Sequence, residues 1–195
     1  MATTMKRGVF CLEGPWSPKL THRASMSPLL QLLEDVQGVT YERRDCATAE
    51  EVEFYLSKWT QKGYANSHSI LLMAFHRSRG EIQLGRGTMS LEDLGAILEG
   101  KCKSRYIHFD SCEVLSASKR RVDAFREQTG ATVVSGYRCP VGWIDSAAFS
   151  LHLLEALATG EPMMDSLRRM AKRNEGTAKR LGFRAIGTRG AYGFA

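Results

Sequence analysis

The chain has 195 residues, of which 43% are hydrophobic and 25% charged, and these values are ordinary for one folded domain that needs no disulfide or metal to hold its core. No segment approaches the roughly 18 apolar residues that cross a bilayer, and the apolar run 9–12 is too short for a signal peptide. The five cysteines lack any C-x-x-C spacing, and the +6 net charge comes largely from late lysines and arginines without interleaved aromatic residues. We therefore expect a cytoplasmic protein, without membrane or nucleic-acid partners.

The first half of the chain alternates predicted strands and helices. In chain order these are a strand at 7–12, a helix at 27–36 that Gly38 ends, a strand at 39–43, a helix that Thr48 and Glu51 open with a capping box, and a strand at 69–75. The last of these, SILLMAF, is apolar throughout, which is typical of a parallel strand covered on both faces.

The second half continues the same alternation. The predictions are a hairpin at 81–89, a helix at 91–98, a strand at 105–109, a helix at 116–128, a strand at 131–136, a helix at 147–158, a helix that begins at Pro162, and a last edge strand at 183–188. This order predicts a three-layer α/β/α domain over residues 1–195, with a mostly parallel sheet of about six strands and helices on both faces.

The carboxyl ends of parallel strands are where ligands bind in such a fold. This rule selects four segments, 13–16, 76–80, 110–113 and 137–143. Two of them contain a base and a nucleophile, since His76 follows one buried strand and Cys112 follows another. If these strands are neighbours, the imidazole can hold or accept the thiol proton, and the predicted helix after Cys112 adds the positive end of its dipole.

These two blocks, LLMAFHRSRGEIQLG and RYIHFDSCEVL, resemble the caspase-like (clan CD) cysteine peptidases. The triplet Asp110-Ser111-Cys112 is similar to the motif of metacaspases and clostripain. The resemblance implies a cysteine endopeptidase with a caspase-like (flavodoxin-like) fold, with Cys112 as nucleophile and His76 as general base. The backbone N–H groups of Arg77 and Cys112 would form the oxyanion hole.

The resemblance also implies further binding residues and partners. Asp110 would lie at the floor of a pocket for Arg or Lys before the scissile bond. Tyr137, Arg138 and Trp143 would form a pocket wall. It implies no cofactor, an activating partner or small-molecule signal, a homodimer through the last strand at 183–188, and a role as a regulated effector in bacterial defence.

One departure from the family keeps an alternative open. Arg77 stands where the family has Gly after the histidine, and a required positive φ would strain an arginine. The alternative is a catalytically inactive binding or sensing module on the same scaffold.

Two ligand-binding alternatives receive less support from the sequence. A flavodoxin-like nucleotide or flavin binder is disfavoured because the chain has no G-x-G-x-x-G or Walker pattern. The series His108, Asp110, Cys112 has alternating spacing that a zinc site could use, but we expect no metal and predict that His108 is a core residue.

Overall fold

Seven strands form one sheet at the centre of the protein. The computed structural model describes residues 6–19, 21–78, 80–111, 114–140, 142–188 and 190–194. The strands of this sheet are β1 (Val9–Glu13), β2 (Tyr41–Asp45), β3 (Ile70–Ala74), β7 (Tyr106–Phe109), β8 (Val133–Tyr137), β9 (Phe183–Gly187) and β10 (Gly190–Gly193). Across the sheet the strands lie in the order β10-β9-β8-β7-β3-β1-β2. The neighbouring strands β2, β1, β3, β7 and β8 are parallel to one another. Strand β9 is antiparallel to both of its neighbours, β8 and β10.

A second, three-stranded antiparallel sheet follows β3 directly. It consists of β4 (His76–Ser78), β5 (Glu81–Gln83) and β6 (Thr88–Ser90). The predicted hairpin corresponds to β5 and β6, and His76 opens the added strand β4.

Helices cover both faces of the main sheet. They are α1 (Ser27–Gln37), α2 (Ala49–Trp59), α3 (Lys62–Ser67), α4 (Leu91–Ile97), α5 (Lys119–Thr129), α6 (Trp143–Ala158), α7 (Met163–Arg173) and α8 (Glu175–Leu181). Apolar residues of α1, α6, α7 and α8 pack in one core, and those of α2, α4 and α5 pack in the other. Alternate β1 residues supply the two cores, because side chains point to opposite faces of a strand. In the described part of the chain no helix is both long and apolar enough to cross a bilayer.

Local signals explain where several helices begin and end. The predicted capping box of α2 is present, with Thr48 accepting from Glu51 N–H and Glu51 accepting from Thr48 N–H. Ser90 and Asp93 make a second capping box on α4. Gly38 ends α1 in the left-handed conformation, at a φ of 63°.

The predicted three-layer α/β/α class with a mostly parallel sheet of about six strands is confirmed, and the main sheet has seven. Two details of the helix predictions are wrong. The helix predicted at 116–128 begins at Lys119, after a single 3-10 turn at Val114–Ser116. The helix predicted at 147–158 begins earlier, at Trp143.

The prediction that 183–188 forms the edge of the sheet is also wrong. This segment is β9, which pairs with β8 on one side and with β10 on the other. The backbone N–H and C=O groups of β9 therefore form hydrogen bonds to strands of the same chain on both sides. The edge strand at this end of the sheet is β10. The short, glycine-rich sequence of β10 lacks the apolar run that predicts the central strands β1, β3, β7 and β8.

Candidate active site

The two strands that precede His76 and Cys112 are neighbours, so the condition on which the predicted dyad depended is met. β3 and β7 are parallel, hydrogen-bonded neighbours, and Met73 pairs with Phe109 at their carboxyl ends. The backbone N–H of Asp110 continues the ladder by donating to the Met73 carbonyl at 3.0 Å.

The segments that follow β3 and β7 also contact each other beyond the sheet. The backbone N–H of Phe75 donates to the Ser111 hydroxyl oxygen at 3.1 Å. Phe75 is the residue before His76, and Ser111 is the residue before Cys112. A buried serine thus joins the two chain segments at the last residue before each member of the predicted dyad.

His76 is exposed and begins β4, where it pairs with Gln83. Its ring lies against the indole of Trp16, with the ring centroids 6.4 Å apart and the planes inclined at 48°. Trp16 belongs to the segment that follows β1, one of the four segments predicted at the carboxyl edge. The histidine therefore has an aromatic neighbour on the β1 side.

Cys112 lies outside the described residues, so its predicted role stays a prediction. The helix expected directly after it is only the 3-10 turn Val114–Ser116, and α5 begins at Lys119. The predicted contribution of a helix dipole to the thiol is therefore wrong, because a single turn has little aligned dipole.

Arg77 lies in β4, where it pairs with Ile82. Within the described part of the chain, Ser104 alone among the non-glycine residues has a positive φ. The backbone strain considered for an arginine after the histidine is therefore absent. The oxyanion hole from the N–H groups of Arg77 and Cys112 stays a prediction.

Asp110 is a buried carboxyl group, with only 3% of the residue exposed. Its Oδ2 accepts a hydrogen bond of 2.8 Å from the Ser150 hydroxyl. The Ser146 hydroxyl, one turn earlier on α6, donates to the carbonyl of Trp143 at 3.1 Å. Burial, with a smaller contribution from the nearby Glu13, raises the pKa of Asp110 to about 6 against the opposing hydrogen bond from Ser150. Among the described residues, no cation contributes to this shift.

The three predicted wall residues have different environments. Tyr137 is completely buried, and its hydroxyl lies 3.0 Å from Ser150 Oγ, so it contacts the partner of Asp110 from within the core. Arg138 is exposed, and its guanidinium lies 3.5 Å from the carbonyl of Phe194. Trp143 is half-buried at the first position of α6. The pocket wall of these three residues therefore stays a prediction, to which the buried hydroxyl of Tyr137 would contribute only through Ser150.

Four residues of this edge were not predicted individually. Glu13 ends β1 as a buried carboxylate, and Ser111 joins the segments that follow β3 and β7. Ser150 donates to Asp110 from α6, and the buried Ser146 lies one turn earlier on the same helix. The two serines lie four residues apart on the apolar helix α6, and this spacing was the available signal. Glu13 directly after an apolar strand was a weaker one.

The structure describes four cysteines, and three of them have environments that suppress the reactivity of the thiol. Burial raises the pKa of Cys46 and of Cys102 to about 12, and it raises the pKa of Cys11 well above its usual range. Cys139 is half-buried. Thiolate chemistry at neutral pH is therefore disfavoured at Cys11, Cys46 and Cys102.

His108 is a core residue, as predicted. It is completely buried, its Nδ1 lies 2.7 Å from Ser135 Oγ, and burial lowers its pKa to about 3. The imidazole is therefore neutral at physiological pH.

The layers and the mostly parallel sheet define a three-layer α/β/α protein, a class in which ligands commonly bind at the carboxyl edge of the sheet. The sequence profile of a family of unknown function, DUF6642, matches residues 6–186. The chain belongs to this family. No curated protein matches the chain.

Proposed function

We propose that the protein is a cysteine endopeptidase in which Cys112 is the nucleophile and His76 the general base. The observation that carries the proposal is the hydrogen bond of 3.1 Å between Phe75 N–H and Ser111 Oγ, because it joins the residue before His76 to the residue before Cys112. Both members of the dyad follow the paired residues Met73 and Phe109 at the same short distance along the chain.

The chemistry requires a thiolate and an imidazole within reach of one carbonyl group. His76 takes the thiol proton, and the Cys112 sulfur attacks the carbonyl carbon of the scissile peptide. The N–H groups of Arg77 and Cys112 stabilise the oxyanion, and protonated His76 then gives its proton to the leaving amine. Water hydrolyses the resulting thioester with His76 again as base.

Asp110 supports a preference for Arg or Lys before the scissile bond. A buried carboxyl group with one hydroxyl donor and no cation among its described partners costs stability, and such groups concentrate at functional sites. A substrate guanidinium or ammonium would supply the missing positive charge. Removing one partner of such a pair typically costs about 2–5 kcal/mol, so Asp110→Ala should lower kcat/KM for basic peptides far more than it slows alkylation of Cys112. A peptide library that reveals a preference for acidic or large apolar residues would contradict this assignment.

Thiol alkylation tests the dyad without a known substrate. In a Cys139→Ser background, limited iodoacetamide at neutral pH should modify Cys112 first, since Cys11, Cys46 and Cys102 are buried with raised pKa values. His76→Ala should slow this reaction about tenfold or more, because the thiolate loses its partner. His152→Ala, which removes a histidine of α6, is the matched control and should leave the rate unchanged.

Proteolysis provides the second test. Cys112→Ala should lower cleavage of an unstructured protein by roughly a thousandfold or more, with unchanged circular dichroism. Cleavage at the wild-type rate by this variant would refute the proposal.

The alternative is a catalytically inactive binding or sensing module on the same scaffold. The specific observation in its favour is Arg77, which stands where caspase-like peptidases have Gly after the histidine. The binding-module alternative is favoured if iodoacetamide alkylates Cys112 in the folded protein no faster than it alkylates a thiol in the urea-unfolded chain.

A further inference from the structure

We infer that Trp16, held in place by Glu13, is a positioning residue for His76. This inference rests on the proposed function, because it assigns a role in orienting the general base of the dyad. It adds a third element, β1, to the two strands that precede His76 and Cys112.

Glu13 is a fully satisfied anchor at the carboxyl end of β1. Only 1% of the residue is exposed. Its Oε1 accepts from the indole N–H of Trp16 at 2.5 Å and from the backbone N–H of Met26 at 2.8 Å. Its Oε2 accepts from the Ser25 hydroxyl at 3.0 Å and from Arg43 Nε at 2.5 Å. One buried carboxylate therefore joins β1, β2 and both ends of the loop that carries Trp16.

The backbone directs this loop toward His76. The N–H of Gly14 donates to the carbonyl of Ala74 at 2.9 Å, so the segment after β1 runs beside the end of β3. A Cβ at Gly14 would lie 2.5 Å from Cδ1 of Phe75, which means that glycine permits this close passage. Two residues later, the Trp16 ring lies 6.4 Å from the His76 ring.

This contact restricts the orientation of an otherwise exposed imidazole. Only some rotamers of a histidine at the start of a strand align a ring nitrogen with a neighbouring thiol. The indole cannot follow a change of rotamer freely, because its N–H is bound to a buried carboxylate. Trp16 therefore reduces the orientations available to His76, and Glu13 does so through Trp16.

The test measures the pH–rate profile of Cys112 alkylation by iodoacetamide in the full chain with Cys139→Ser. Trp16→Ala should lower the rate at neutral pH about tenfold and move the profile toward that of an unpaired thiol. Trp16→Phe keeps a ring but loses the bond to Glu13, so it should have a smaller, few-fold effect. Lys19→Ala, in the same loop and exposed, is the control and should react like the parent.

A double-mutant cycle tests the path through Glu13. Glu13→Gln and Trp16→Phe should each slow the reaction few-fold, and their combination should be no slower than the slower single variant. Additive effects would overturn the link, as would an unchanged profile in Trp16→Ala. Thermal melts establish that each variant is folded at the assay temperature, and Trp16→Phe tests the inference even if Glu13→Gln unfolds. If the parent Cys112 reacts no faster than an unfolded thiol, the proposed function fails, whereas a fast parent reaction that Trp16→Ala leaves unchanged refutes only the positioning.

Discussion

The burial of Asp110 has a measurable consequence for stability. Its folded-state pKa of about 6 lies above its ordinary value of 3.8, so the folded chain holds this proton more tightly than the unfolded chain does. Between pH 3.8 and about pH 6, the unfolded chain therefore binds fewer protons at this group than the folded chain does. The free energy of unfolding falls as the pH rises through this range. The carboxyl group therefore destabilises the folded protein at neutral pH.

Asp110→Asn should remove this cost, because the amide is neutral and can still accept from Ser150. At about 1.4 kcal/mol per pH unit of pKa shift, we expect the variant to be more stable than wild type by roughly 3 kcal/mol at most above pH 6.5, and equally stable below pH 4. Urea unfolding at both pH values measures the difference. Asp145→Asn, an exposed substitution on α6, should change stability by less than about 0.5 kcal/mol at either pH. A stability difference for Asp110→Asn that does not depend on pH would contradict the shift.

At the scale of single elements, β8 depends on close contact with the end of β7. Gly136 pairs with Phe109, and a Cβ at Gly136 would lie 2.9 Å from the Phe109 carbonyl oxygen and 3.1 Å from Leu115 Cγ. The first of these atoms belongs to the backbone of a paired strand and cannot move aside. Glycine is therefore required by space rather than by its backbone angles.

Gly136→Ala should lower the free energy of unfolding by roughly 1–3 kcal/mol, the usual cost of overpacking a core. Gly63→Ala is the matched control, since nothing lies within 4 Å of a Cβ at this position of α3. Alanine favours a helix over glycine, so the control should be neutral or more stable by up to about 1 kcal/mol. Urea denaturation of the two variants beside wild type measures both effects. Equal effects in the two variants would refute the steric explanation.

Apolar patterns and caps carried the prediction of the elements. The central parallel strands β1, β3, β7 and β8 were predictable because their residues are buried on both faces. The start of α2 was predictable because Thr48 and Glu51 form its capping box. Patterns did not predict that the chain would begin a new strand at His76 instead of ending one. That change depends on pairing with β5 and β6, which no local signal at His76 encodes.

At the scale of the whole molecule, the open edge next to β9 is β10. The predicted homodimer through the last strand thus becomes a prediction for Gly190–Gly193. An unpaired edge offers backbone donors and acceptors to a second chain.

If this edge forms the dimer, wild type should sediment as a dimer and Ala191→Lys as a monomer, because a charged side chain on the edge disfavours pairing. Thr188→Lys adds the same charge at an exposed turn outside β10 and should remain dimeric. Sedimentation velocity at several concentrations provides the measurement. A monomeric wild type, or a dimer that survives Ala191→Lys, would contradict the prediction.

The layer architecture and the segments that contain His76 and Cys112 could be predicted from local patterns, because a strand buried on both faces requires an apolar run. Polar residues that follow such runs are expected at the carboxyl edge of a parallel sheet. Which distant groups meet at this edge depends on tertiary packing. The partners of the buried Glu13 and the Ser150 partner of Asp110 come from segments far apart in the chain, and their contacts arise from packing and from the satisfaction of buried polar atoms. No periodicity encodes such contacts, since each depends on the arrangement of several elements at once.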